Sequence, residues 1–323
     1  MLPQRLFLII NPKSGTETKE GIDRMLSRQL ADRGFEITSV FTRGPGDATE
    51  LARRAVAEGF DGVLACGGDG TVNETACGMV GTGVPMGIVP MGSGNGLARH
   101  LNIPIDPLMS LDVVAKRFVR DCDYGDVNGR PFFCTFGVGF DAAVSDRFAA
   151  SGSRGRINYV RSAVHEFINY KPSTYSIVAD GEVIDDEALL VAVCNANQYG
   201  NNAFIAPDAS IKDGYLDLVV VRNMPKINTV WMSVEMMWGT LTESRHIIKR
   251  KVKNVVINRK EPGPAHLDGE PFHVEGNRMV VSSHPGSLKL FTTDNKTPFR
   301  PVFTPVHAFF DDMSIAIKHL FLK

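Results

Sequence analysis

The stretch Val63-Leu64-Ala65-Cys66-Gly67-Gly68-Asp69-Gly70-Thr71-Val72-Asn73-Glu74 decides the fold. An apolar run of strand length breaks into glycines and a carboxylate, and residues 71–79 then take helical spacing. Outward from it lie further apolar runs at 6–10, 37–41 and 86–89, each bounded by Gly or Pro. Between them Ile22, Met25, Leu26 and Leu30, then Leu51, Ala52, Ala55 and Val56, recur at the period of a helix. Strands alternating with helices predict a parallel sheet covered on both faces over residues 1–125. Loops at the carboxyl ends of such strands are where ligands bind.

Beyond residue 121 the grain changes. Strand-like runs dominate at 132–138, 175–179, 189–194, 216–221, 252–257, 279–282 and 288–291, with helical patterns at 157–169 and 226–241. These predict a β-rich second domain over residues 126–291, a sandwich or a meander. The tail 292–323 is punctuated by prolines and then turns helix-like from 307 to 321, a candidate to pack back on the first domain.

The 323 residues suit two domains of about 150 each. Hydrophobic residues make up 43% before the 31 glycines are added, which excludes disorder and supplies a sizeable core. With 35 basic and 36 acidic residues the net charge is −1, which argues against nucleic acid as the partner. No apolar run approaches the roughly 20 residues of a membrane span. The run at 6–10 continues into Asn-Pro-Lys-Ser-Gly rather than a small-residue cleavage site, so it reads as a strand and not a signal peptide. The five cysteines form no C-x-x-C pair, as expected of buried free thiols in a cytoplasmic protein. The eight histidines show no H-x-x-x-H spacing, which argues against zinc.

Glycines let backbone N–H groups approach a phosphate, and a helix start adds positive potential. Asp69 would repel that phosphate unless it handles Mg²⁺ or a proton; a tight Gly-Asp-Gly turn is the alternative. A second loop, Pro90-Met91-Gly92-Ser93-Gly94-Asn95-Gly96, also follows a strand and opens a helix, and the first strand runs into Asn11-Pro12-Lys13-Ser14-Gly15. Neither a G-x-x-x-x-G-K-[ST] loop nor the H-R-D and D-F-G pieces of protein kinases occur. Three polar glycine loops on one sheet edge therefore predict a nucleotide site of another design.

Together these elements resemble the diacylglycerol kinase catalytic-domain family, which includes sphingosine and ceramide kinases and is distantly related to NAD kinases. The matching pieces continue through Asn195, Ala206-Pro207-Asp208-Ala209, Asp213-Gly214-Tyr215-Leu216 and Asp268-Gly269-Glu270, in order from residue 6 to about 291. Gly200-Asn201-Asn202 departs from the glycine triplet of many members. Ser93-Gly94-Asn95-Gly96 departs from the Thr and Asn-Asp pair of bacterial diacylglycerol kinases and looks closer to sphingosine kinases.

The resemblance implies a Rossmann-like α/β domain, a mainly antiparallel β-sandwich, and ATP in the cleft between them. It assigns nucleotide contacts to Asn11, Pro12, Lys13, Ser14, Gly15, Thr42, Gly67, Gly68, Asp69, Gly70, Thr71, Val72, Asn73, Glu74 and Ser93. It makes Glu270 the general base and puts Asp69 with the phosphates and catalytic Mg²⁺. A structural Mg²⁺ would take the Asp213 carboxylate and the carbonyls of Ser210 and Tyr215, with Asp123 linked through water. The expected activity is ATP- and Mg²⁺-dependent phosphorylation of a lipid hydroxyl, diacylglycerol to phosphatidic acid first and a sphingoid base second. An NAD kinase-like enzyme and a non-catalytic nucleotide- or lipid-binding module are the other readings. The protein is expected in the cytoplasm, peripheral to the inner face of the membrane; a homodimer is left open.

Four features carry bland readings beside these. Asp268-Gly269 is a strong hairpin signal in its own right. His266, two residues before Asp268, could line the site, but a satisfied surface histidine is the default reading. The basic stretch 245–253 reads as a solvated face, or else as attraction to anionic headgroups. On residues 226–241, Ile227, Val230, Trp231, Val234, Trp238 and Leu241 form one stripe, for which core packing is the default and a membrane-facing role the alternative.

Overall fold

The computed structural model describes residues 4–15, 21–150 and 170–293. The helical pattern at 157–169 and the tail from 294 onward lie outside the described residues. The first domain builds β1 (Gln4–Ile10), α1 (Ile22–Ala31), β2 (Phe35–Phe41), α2 (Asp47–Ala57), β3 (Gly62–Gly67), α3 (Asp69–Met79), β4 (Met86–Pro90), α4 (Gly96–His100) and α5 (Pro107–Ala115). Its strands run parallel in the order β2-β1-β3-β4.

Side chains on a strand alternate between faces, and here both faces are covered. Phe7, Ile9, Val63 and Ala65 pack with Ala52, Ala55, Val72 and Ala76 of α2 and α3. Leu6, Leu8, Ile10 and Leu64 pack with Leu26, Leu30, Leu111 and Val114 of α1 and α5. Burial on both faces is why these strands read as unbroken apolar runs.

The second domain adds β5 (Val119–Val127), β6 (Arg130–Phe132), β7 (Thr135–Gly139), α6 (Phe140–Ala150), β8 (Ser173–Ala179), β9 (Glu182–Cys194) and β10 (Leu216–Arg222). After these come α7 (Lys226–Trp238), β11 (Ile247–Val252), β12 (Asn254–Arg259), β13 (Ala265–Leu267), β14 (Glu270–Phe272) and β15 (Arg278–Phe291). The pairs among these strands are antiparallel. Their inward residues, among them Phe136, Ile177, Val193, Leu218 and Ile257, share one core. The expected sandwich is present.

Two expected runs are divided, each by a carboxylate. The run at 252–257 becomes the end of β11 and most of β12, because Asp180 accepts the N–H groups of Lys253 and Asn254 at 2.8 and 2.9 Å. The run at 132–138 is cut at Phe133-Cys134, whose N–H groups turn to Asp268. Conversely, the runs at 279–282 and 288–291 are one strand, β15, with a register shift between His284 and Leu288.

The expected domain boundary at residue 125 falls inside β5. β15 pairs with β12 and β5 of the second domain, and its Leu290 lies parallel beside Met86 of β4. Phe291 enters the first domain's core. Gly62 and Gly87 leave it room: a Cβ there would come within 3.1 and 3.4 Å of the Phe291 ring.

The default core reading of the stripe holds at Leu241, which is buried, and fails along α7. Ile227, Trp231 and Trp238 are 73, 64 and 55% exposed and Val234 is half-buried, while Met232, off the stripe, is buried. Periodicity located an apolar face, and the tryptophans on it point outward. The five cysteines are free, and burial pushes the Cys77 and Cys122 thiols up to about 12.

Candidate active site

The carboxyl ends of β1, β3 and β4 bring the three glycine loops together. Asn11 donates its backbone N–H to the Cys66 carbonyl and its side-chain amide to Thr71 Oγ1, both at 2.9 Å. Its Oδ1 accepts the Lys13 N–H at 2.9 Å, curling Pro12, Lys13 and Ser14 into a turn that ends at Gly15. Met91 N–H donates to the Gly67 carbonyl at 2.8 Å. The first and second loops then touch backbone to backbone, since a Cβ on Gly92 would lie 2.6 Å from Gly68 Cα. Side chains are excluded here by the approach of the loops to each other, before any ligand is considered.

α3 opens at Gly68 with no side-chain cap, so its first turn is a site for negative charge. Asp69 does not hang free in that space. Its Oδ2 and Oδ1 accept the N–H groups of Asn95 and Gly96 at 2.8 and 2.7 Å. Burial raises its pKa above the usual carboxylate range, opposed by those two N–H bonds and aided by the nearby charge of Asp268.

Opposite stands the β13–β14 hairpin. Its turn is Asp268-Gly269, both at positive φ (51° and 87°), as a tight two-residue hairpin demands. The Asp268 carboxylate accepts four hydrogen bonds, from the N–H groups of Phe133, Cys134 and Thr135 and from the Asn73 amide, at 2.7–2.9 Å. It thereby clasps the hairpin to α3 across the two domains. Glu270 follows as the exposed first residue of β14, and its Oε1 lies 3.6 Å from where a Cβ on Gly70 would stand. The cleft thus holds a carboxylate over a glycine loop at an uncapped helix start.

The other expected nucleotide residues divide. Thr42, half-buried at the end of β2, donates its N–H to the Ile10 carbonyl and stays on the same sheet edge. Ser93 is exposed at its loop tip, and Val72 is buried in the core. Glu74 turns away, its carboxylate accepting the N–H groups of Gly46 and Ala48 at the start of α2. Asp268 and Asn95 are the organising residues to whose side chains the sequence reading gave no role. Asp-Gly signalled the turn, but nothing local signals that its carboxylate reaches residues 133–135. The Gly200-Asn201-Asn202 departure has a backbone explanation: all three have positive φ, which Asn tolerates, and Asn201 N–H meets the Gly94 carbonyl.

The residues expected to hold a structural Mg²⁺ also gather, with both carboxylates engaged. Asp123 accepts the N–H groups of Gly214 and Gly286 at 2.7 and 2.8 Å. Asp213 accepts the Tyr215 N–H at 3.1 Å and pairs with Lys251 Nζ at 2.7 Å, and Lys251 also reaches the buried Asp217 at 3.0 Å. Ser210 lies half-buried just before this turn. As arranged, the Lys251 ammonium rather than an ion supplies the positive charge at Asp213. Among the described residues no group of three or more His, Cys, Asp or Glu side chains could hold a metal. Added Mg²⁺ is therefore expected to shift the Tm of wild type and of Asp213→Ala equally in a melting experiment. A larger shift in wild type would mean that an ion displaces Lys251.

Known proteins match both halves. Residues 5–127 match the diacylglycerol kinase catalytic domain, and residues 134–292 match the YegS C-terminal NAD kinase beta sandwich-like domain. A diacylglycerol kinase of Bacillus subtilis is 29% identical over 272 residues, 83% of this chain and 90% of that one. One from Staphylococcus aureus strain RF122 is 30% identical over 288 residues, 83% and 86% of the two chains. A crystal structure of a diacylglycerol kinase from Bacillus anthracis superposes with a TM-score of 0.73 at 22% identity, covering 90% and 97% of the two chains, and shares the fold. This chain belongs to the diacylglycerol kinase family of lipid kinases, enzymes that use ATP with an alcohol acceptor.

Proposed function

We propose that this chain moves the γ-phosphoryl group of ATP to the hydroxyl of a membrane lipid, with diacylglycerol as the acceptor and phosphatidic acid as the product. The observation that carries the reading is Glu270 held over Gly70 beside the uncapped start of α3. Phosphates would rest on the first turn of α3 and against the glycine loops. Glu270 takes the proton of the acceptor hydroxyl as its oxygen bonds to phosphorus and the bond to the ADP oxygen breaks. Mg²⁺, entering with the phosphates and a carboxylate such as Asp69, would neutralise charge on the transferring group. Asp268 keeps the base at its height, and Asp69 holds the second glycine loop against the first.

A sphingoid base is the second reading, favoured by the Ser93-Gly94-Asn95 loop. Labelled ATP offered with diacylglycerol, sphingosine and NAD separates the readings. Phosphatidic acid is the expected product, and a label confined to sphingosine or NAD would replace diacylglycerol as the acceptor.

The lipid is met at a membrane surface, at the face where ATP is present. No helix among the described residues is long and apolar enough to cross a membrane. The basic stretch is largely neutralised by acids: Lys249 pairs with Asp208, Arg250 with Glu182 and Glu243, Lys251 with Asp213 and Asp217. The exposed α7 face carries both tryptophans of the chain, a residue type enriched at membrane interfaces. Vesicles should therefore blue-shift the intrinsic tryptophan emission. Replacing Trp231 and Trp238 by Ser should cut activity on vesicles and spare a short-chain soluble acceptor, whereas Ser at Lys249, Arg250 and Lys251 should change vesicle activity less. The reverse ranking would return the role to the basic stretch.

A further inference from the structure

Behind the hairpin lies a buried polar cluster that the mechanism has not used. His266 and Asp141 are 1 and 7% exposed, so His266 is an interior residue rather than the surface histidine expected. His266 Nε2 meets Asp141 Oδ2 at 3.1 Å, and Tyr199 Oη donates to the same oxygen at 2.7 Å. On the other side of the ring, Nδ1 accepts the Gly269 N–H at 3.4 Å, which leaves the ring hydrogen on Nε2, facing Asp141. Gly269 is the residue between Asp268 and Glu270. Room for the cluster is made by Gly137, where a Cβ would overlap both Asp141 Oδ2 and His266 Nε2.

The cluster joins three elements. His266 stands opposite Gly137 in the β13–β7 pair, Asp141 lies in the first turn of α6, and Tyr199 belongs to the loop that contacts the second glycine loop through Asn201 and Gly94. It therefore spans from the nucleotide loops to the turn that carries Glu270. Satisfied buried polar networks fix one arrangement, since every member left without its partner costs free energy.

We propose that Tyr199 and Asp141, acting through His266 on the Gly269 N–H, are positioning residues that set where the Glu270 carboxylate stands over the glycine loop. This rests on Glu270 as the base. The test is a mutant cycle in the full chain, reading kcat, KM for ATP and Tm. Tyr199→Phe removes one hydroxyl and keeps the ring, and Asp141→Asn keeps the shape of the carboxylate.

Either change should lower kcat by about tenfold or more, the scale of a small displacement of a reacting group. KM for ATP should stay within about twofold, which marks a loss felt in turnover rather than in uniform binding. In a Glu270→Gln background the same changes should leave the residual rate where it is, because there is no longer a base to position. Equal losses in both backgrounds, or a loss shared between kcat and ATP affinity, would reduce the cluster to a structural role and overturn the proposal. Tyr199→Phe retaining full turnover, while Glu270→Gln loses it, would sink the positioning role alone. Glu270→Gln retaining turnover would sink the base itself. If Asp141→Asn fails to fold, Tyr199→Phe decides.

Discussion

Glu270→Gln should lose about 10²–10⁴-fold in kcat and bind ATP as the wild type does. The amide keeps the size and reach of the side chain but cannot take a proton from the acceptor. Glu270 is exposed at the start of a three-residue strand and faces Gly70 across the cleft, so the exchange disturbs no core packing. A loss confined to kcat is the signature of a group that acts in the transition state. ATP affinity, followed by equilibrium binding without the lipid, is the control. Retention of most of the turnover would leave the hairpin as a turn and move the base elsewhere.

Asp268→Ala should be the most damaging single change to stability near the cleft. It strands the N–H groups of Phe133, Cys134 and Thr135 and the amide of Asn73, each of which now has a carboxylate oxygen at 2.7–2.9 Å. A buried donor left without a partner costs about 1–3 kcal/mol. Even with water reaching some of them, a loss of about 3 kcal/mol is expected, lowering Tm by about 6–12 °C. Turnover should fall as well, because the same bonds hold the Glu270 hairpin against α3. A melting curve checks the first and a lipid phosphorylation assay the second; a variant that melts with wild type would show that the clasp is replaced by solvent.

What was legible in the sequence follows the range of the forces involved. β1, β3 and β4 were plain because strands buried on both faces are apolar throughout, and the Asp268-Gly269 turn was plain because only certain residues tolerate its backbone. The three glycine loops stood out for the same local reason. The direction of each carboxylate was not legible. Asp69 is claimed by N–H groups 26 and 27 residues later, Glu74 by the start of the preceding helix, and Asp213 by a lysine 38 residues away. Such pairings exist only after the chain has closed. The α7 stripe shows a different limit: a helical period reports that one face is apolar, not which side of the protein it meets.

The last residues of β15 bear on the order in which the molecule is made. Leu290 extends the parallel sheet beside β4, and Phe291 fills a place in the core shared with Leu64 and Val89. A ribosome delivers the nucleotide half first, yet that half lacks part of its own interior until the sandwich has been translated. The interior of the amino-terminal portion closes only once β15 has been made.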